Sequence, residues 1–227
     1  AGDYIEIIDI RDPESPTHKG ELQTPGQGKD VALVGNLAFI AHGYEGLRVV
    51  NIADPANPSP PVDLDTPGAA HGIDVAGDYA YIADSEYGLQ AIKFSQTDEL
   101  KVELGPAVRV DTPGSASEVV VSGNIAYVAD SQAGLQLIDI SNPDKPRLIG
   151  GVDTPGNAID VTIMNSIAYV ADDFAGVQVI DVRDPYNPTL VGAARTNSGA
   201  MGISAAGDHI YVATHFGLEI LHAIPTE

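Results

Sequence analysis

Apolar residues in this chain come in short runs, each stopped within a few positions by Gly, Pro, Asn or Asp, the pattern of strands and turns. β-Branched and aromatic residues dominate the runs, and none reaches helical length before a Gly or Pro, so a helical reading fails. The runs recur as a unit. IAYVADSQAGLQLIDISNPDKPRLIGGVDTPG, which starts at Ile125, returns as LAFIAHGYEGLRVVNIADPANPSPPVDLDTPG from Leu37 and as YAYIADSEYGLQAIKF from Tyr79. It returns again as IAYVADDFAGVQVIDVRDPYNPTLVGAARTNS from Ile167 and as IYVATHFGLEILHAI from Ile210. Taking Thr24, Thr66, Thr112, Thr154 and Thr196 as phase marks, the spacings are 42, 46, 42 and 42 residues.

Each period holds four strand-like segments, here named A to D. In the third repeat they are Glu118 to Ser122, Ile125 to Asp130, Leu135 to Ile140 and Pro146 to Asp153. Four strands in a period of this length predict the blade of a β-propeller. A meets B at Gly35-Asn36, Gly77-Asp78, Gly123-Asn124 and Gly207-Asp208, pairs suited to positive φ, with Asn165-Ser166 as the exception. C meets D at Asp12-Pro13, Asp54-Pro55, Asn142-Pro143 and Asp184-Pro185, where proline sets φ and the Asx side chain closes the turn. Repeat two lacks this turn and is expected to carry a loop from Ser95 to Pro106 instead.

The expected whole is all-β: one domain over residues 1–227, with five four-stranded blades whose repeats begin near residues 24, 66, 112, 154 and 196. Ile5 to Ile10 and Thr17 to Gln23 keep the phase of C and D, while Ala200 to Ile224 supplies A, B and another C. Residues 1–23 are therefore expected to complete the last blade, leaving one C strand surplus, either Ile5 to Ile10 or Leu218 to Ile224.

The 227 residues are 44% apolar, ample for such a core. No apolar run approaches the roughly 20 residues of a membrane-spanning helix, so membrane insertion is not expected. Without cysteine there is no thiolate chemistry. Thirty-two acids against eleven bases give a formal charge of −21, which repels phosphate backbones and argues against a nucleic-acid partner. Cations are the natural small partners.

The C strands read LRVVNI, LQLIDI, VQVIDV and IEIIDI, followed by x-D/N-P-x-x-P. In this the chain resembles the LVIVD repeat family along essentially its whole length. The resemblance implies a β-propeller, a secreted, periplasmic or cell-surface setting, and interaction with a protein, peptide or glycan. It supplies no catalytic motif. Repeat two departs from it with LQAIKF and no proline pair.

The repeats give an internal control. A residue type found in nearly every copy serves the blade, and a departure is free to serve a site. By that test the column Phe39, Tyr81, Tyr127, Tyr169, Tyr211 and the column Ala41, Ala83, Ala129, Ala171, Ala213 are packing. Asp84, Asp130 and Asp172, closing strand B, are expected to bond turn amides. The departures gather on the face carrying the D-to-A and B-to-C loops. They define a candidate ligand-binding set: Lys29, His42, Tyr44, His71, Tyr87, Phe174, His215 and Phe216. Beside the central channel, the column Asp30, Gly72, Glu118, Asp160, Gly202 places three carboxylates at one mouth. Their repulsion calls for a proton, a cation or ample water. Asp30, Glu118 and Asp160 are thus a candidate oxygen site for Ca²⁺ or Mg²⁺.

Two functions follow. The first is a noncatalytic binding module. The alternative is a metal-dependent hydrolase or lyase, with the ion on the three acids and His71 or His42 as general base. No Gly-x-Ser-x-Gly elbow or phosphate-binding loop is present. His18, His209 and His222 receive no role.

Overall fold

The computed structural model describes residues 3–24, 26–96 and 101–223. Every element in them is a strand. β1 (Asp3–Asp9) and β2 (Thr17–Thr24) pair only with each other. The first four-stranded sheet is β3 (Asp30–Val34), β4 (Leu37–Ala41), β5 (Leu47–Asn51) and β6 (Val62–Leu64). The second is β7 (Gly72–Ala76), β8 (Tyr79–Ala83), β9 (Leu89–Gln96) and β10 (Val102–Val110). The third is β11 (Glu118–Ser122), β12 (Ile125–Ala129), β13 (Leu135–Asp139) and β14 (Arg147–Val152). The fourth is β15 (Asp160–Met164), β16 (Ile167–Ala171), β17 (Val177–Asp181) and β18 (Thr189–Ala194). β19 (Ala200–Ala206), β20 (His209–Thr214) and β21 (Gly217–His222) form a three-stranded sheet. All these sheets are antiparallel meanders, with strands in chain order.

The turns form as their residues dictate. Gly35, Gly77, Gly123 and Gly207 take positive φ, and at the exception both Asn165 and Ser166 do so. At the C-to-D turns the Asp12, Asp54 and Asp184 carboxylates accept from the backbone amides of Glu14, Ala56 and Tyr186, the Asx closure expected there.

The core lies between sheets. Leu37, Phe39, Ala41, Leu47 and Val49 of the first sheet pack on Ile73, Ala80, Ile82 and Ile92 of the second. The same interface repeats three times more along the chain. Phe39, Tyr81, Tyr127 and Tyr169 are buried in it, as the packing column requires. β-Bridges stitch neighbours together: Gly43 to Ala70, Ser85 to Ala116, Ser131 to Ala158 and Asp173 to Ala200. Each bridge joins the B-to-C loop of one sheet to the approach of the next, so those two loop sets share a face.

Two expectations are corrected. The Ser95–Pro106 segment is not a plain loop. β9 runs to Gln96 and β10 begins at Val102, making a long hairpin with a register shift between Leu104 and Ala107. The four extra residues lengthen the C-to-D pair, and residues 97–100 lie outside those described. Second, the N-terminal strands do not complete the last sheet. β1–β2 stands beside the first sheet, where a Cβ on Gly20 would strike the Pro55 carbonyl. Gly150 of the third sheet meets Pro185 of the fourth in the same manner. β1–β2 thus takes the C and D places of a sheet preceding the first. Both C-type strands have places of their own, β1 against β2 and β21 against β20, and neither is surplus. Ile224 lies outside the described residues.

Candidate functional site

The first strands of five sheets, β3, β7, β11, β15 and β19, line one cavity of about 430 Å³. Asp30, Asp74, Glu118 and Asp160 all face it. These are edge strands whose outward amides lack a ladder partner, and the carboxylates supply one. Asp30 accepts from the Ile73 amide at 2.9 Å and Asp160 from that of Ile203 at 2.7 Å, each reaching to the next sheet. Asp74 reaches Val121 at 2.7 Å in the same way. The partner positions opposite Asp30 and Asp160 are Gly72 and Gly202, which carry no competing side chain.

Glu118 is the member left over, holding only its neighbour Val119 amide at 2.9 Å. Burial first, then repulsion from Asp30, pushes it up to about 9, with Asp160 and Asp74 adding to the shift. Glu118 therefore carries a proton at neutral pH, one of the three outcomes the crowded acids demanded. Burial raises Asp160 to about 6, against the pull of the Ile203 and Val161 amides. The sequence brings Asp30, Glu118 and Asp160 to one cavity as expected, where Asp30 and Asp160 each give an oxygen to an amide of the next sheet and Glu118 does not.

A ligand-like cluster lies elsewhere. Among the described residues, the group of three acid or histidine side chains with ligand atoms all within 4.8 Å is Asp208, His209 and His222. His209 and His222 sit opposite each other across β20 and β21, and Asp208 occupies the turn, 2.6 Å from His209 Nδ1. Two imidazoles and a carboxylate suit a transition-metal ion. The sequence reading missed it because the two histidines are far apart in the chain. Their cross-strand register is the signal that joins them.

On the loop face the expected ligand-binding residues divide. Lys29, His42, Tyr44 and His71 line one pocket of about 380 Å³ in the first repeat. Phe174 and His215 stack with ring centres 6.0 Å apart, joining the fourth and fifth sheets. Tyr44, Phe174 and Phe216 stand at loop tips, 85%, 82% and 85% exposed. Tyr87 does not join them. It lies half-buried under the Arg109 guanidinium, 4.7 Å from its ring centre, and covers Gly68.

Asp84, Asp130 and Asp172 do what repetition suggested. Each is fully buried and accepts from a Thr hydroxyl and a Gly amide of the preceding Thr-Pro-Gly: Thr66 and Gly68, Thr112 and Gly114, Thr154 and Gly156, at 2.6 to 3.0 Å. Burial raises all three, opposed by those hydrogen bonds.

Strand content, sheet order and the recurring Thr-Pro-Gly clamp define an all-β repeat protein whose irregular residues collect at one end of its sheets. The chain belongs to the LVIVD repeat family, whose repeat pattern matches residues 25–66, 67–93, 113–154 and 155–196. No curated protein matches it in sequence. Among solved structures it is similar to the computationally designed Ika8 protein, with a TM-score of 0.69 and 8% identity over 91% of this chain. It spans 62% of the length of that protein. It is also similar to the computationally designed Ika4 protein, at TM-score 0.56 and 7% identity, covering 70% of this chain and 93% of that one. A functionally unknown protein from Desulfotomaculum acetoxidans DSM 771 gives TM-score 0.68 and 14% identity, covering 90% of this chain and 68% of that one. At these identities the likeness is one of fold.

Proposed function

We propose that the chain is a noncatalytic recognition module of propeller type, its five inner strands marking five blades, that binds a protein, peptide or glycan on the B-to-C loop face. One observation carries the reading: Tyr44, Phe174 and Phe216 are almost fully exposed at equivalent loop tips. Aromatic rings at loop tips on a rigid scaffold provide stacking area at little entropic cost, since few torsions need fixing. The repeats sharpen the point, because the third repeat fills the same tip with Gln132 and keeps the same four strands. The tips are therefore free of the architecture. Among the inner acids, Asp30, Asp74 and Asp160 serve it, each bonding an amide of the next sheet. The setting that fits this reading, and that the family likeness implies, is extracytoplasmic.

The test is an array of glycans and peptides probed with the wild-type chain and with the Tyr44→Ala, Phe174→Ala, Phe216→Ala triple variant. Binding that the wild type shows and the variant loses supports the reading. An empty array together with turnover of lactone or ester substrates overturns it.

A further inference from the structure

The first repeat breaks the clamp that the next three keep. Where they bury Asp84, Asp130 and Asp172, it buries His42, only 2% exposed, with neither Nδ1 nor Nε2 hydrogen-bonded. An imidazole cannot accept at once from a Thr hydroxyl and a Gly amide as a carboxylate does. The Thr24 hydroxyl instead donates to the Gly26 carbonyl at 3.3 Å. Gly26 takes φ +114 and lies exposed, whereas its counterparts Gly68, Gly114 and Gly156 are buried or half-buried and lack positive φ.

A second tie is missing from the same place. Gln90, Gln136 and Gln178 each donate from Nε2 to a carbonyl of their own B-to-C loop, at Tyr87, Ala133 and Ala175. The first repeat has Arg48 there, turned instead onto Asp63 in a two-point pair at 2.7 and 2.8 Å. With both ties gone, a pocket of about 380 Å³ stands open between the loops, lined by His42, Lys29, His71, Tyr44 and Glu45. That volume is within the roughly 300–1,000 Å³ of small-molecule sites.

A buried imidazole with two unused nitrogens costs free energy unless something enters to bond it. The neighbours indicate what. The Lys29 ammonium bonds the neutral Gln27 Oε1 at 3.1 Å rather than a carboxylate, so its charge is uncompensated there. His71 is held below its ordinary value by burial and then by Lys29, and so stands neutral, ready to donate one N–H or take up a proton. Tyr44 offers an exposed ring for the ligand body, and Glu45 an acceptor for a hydroxyl.

We propose that the first repeat holds a pocket for the carboxylate of a small ligand or chain end, with Lys29, His42 and His71 as donors and Tyr44 packing on the attached body. The pocket deepens the recognition reading above and rests on it. The Lys29 ammonium against a carboxylate makes the stronger, shorter class of hydrogen bond.

The experiment follows the imidazole resonances of the full chain by NMR while two acids and their neutral partners are added. The acids are methyl glucuronide and N-acetyl-alanyl-alanine; the partners are methyl glucoside and the dipeptide amide. At least one acid is expected to saturate and to shift His42 and His71, with its neutral partner about tenfold weaker or more. The acid that binds identifies the source, sugar acid or peptide end. Lys29→Gln should weaken it by about tenfold. His42→Asp restores the clamp, closes the pocket, and should abolish binding in a chain that melts no lower than wild type. Neutral partners binding as well as acids, or undiminished binding by His42→Asp, overturns the proposal. So does silence from both acids. If silence coincides with array binding that needs Phe174 and Phe216, the pocket fails alone and the recognition face stands. If an acid binds while the array is empty, the pocket stands and the face fails.

Discussion

The Thr-Pro-Gly clamp turns one carboxylate into the anchor of a whole loop. Asp130 is 0% exposed and holds Thr112 and Gly114 at 2.6 and 2.8 Å. Asp130→Ala would leave a hydroxyl and an amide unpaired, and is expected to cost about 1–3 kcal/mol in urea unfolding. His42→Asp is expected to act with the opposite sign, because it supplies the carboxylate that anchors the loop in the next three repeats. The structural role of Asp84, Asp130 and Asp172 was legible in the sequence, since three copies of one residue in one phase point to the scaffold. The irregularity at His42 was legible too. Its burial was not, because whether the loop above it opens depends on hydrogen bonds made by residues 24, 26 and 48 together. Tyr87 misled for a similar reason, as nothing near it in sequence announces Arg109 lying across its ring.

At the scale of the element, the inner strands are held by carboxylates that bridge to the next sheet, and the crowding this creates leaves a pH signature. Glu118 has a folded value of about 9 against an ordinary 4.5. Between those values the unfolded chain has lost a proton that the folded chain keeps, so stability falls as pH rises across that window. Asp160 acts in the same sense up to about 6. Glu118→Gln keeps an acceptor for the Val119 amide and removes the titration. Its melting temperature should fall less steeply than that of the wild type between about pH 5 and 9, and should exceed it at the alkaline end. Parallel profiles for the two chains would refute the buried, protonated state. That Asp30, Glu118 and Asp160 share one cavity was legible, because they hold the same strand phase in their repeats. The sequence left open which partner each oxygen takes, and Asp74 was not among the candidates it offered. The hairpin of β9 and β10 was hidden because the segment lacks the Asp-Pro turn and read as a loop, whereas the structure accommodates Gly105 and Pro106 within β10 at its register shift.

For the molecule as a whole, each inter-sheet interface is a copy of the last until the copies run out. Val31 is 50% exposed, although its counterparts Ile73, Val119, Val161 and Ile203 are all buried. At the other end Leu218 is 64% exposed where Leu47, Leu89, Leu135 and Val177 are buried. Stability therefore resides in the middle sheets, as in arrays where each unit leans on its neighbours. Leu135→Ala is expected to cost about 2–5 kcal/mol, and Leu218→Ala less than about 0.5 kcal/mol, as read from denaturant midpoints at equal m-values. Repeat phase made the succession of sheets legible. Where the terminal strands stand was not, since that depends on the small angle between successive sheets, which no single repeat encodes.

The proposed recognition surface consists of residues that depart from the repeat, at the B-to-C loop end, while the repeated residues build the scaffold. Hydrogen–deuterium exchange with the first ligand returned by the array tests it directly. Protection is predicted over residues 42–46, 173–176 and 214–217. Protection confined to the opposite end, at the turns around 35–36, 123–124 and 142–145, would contradict it.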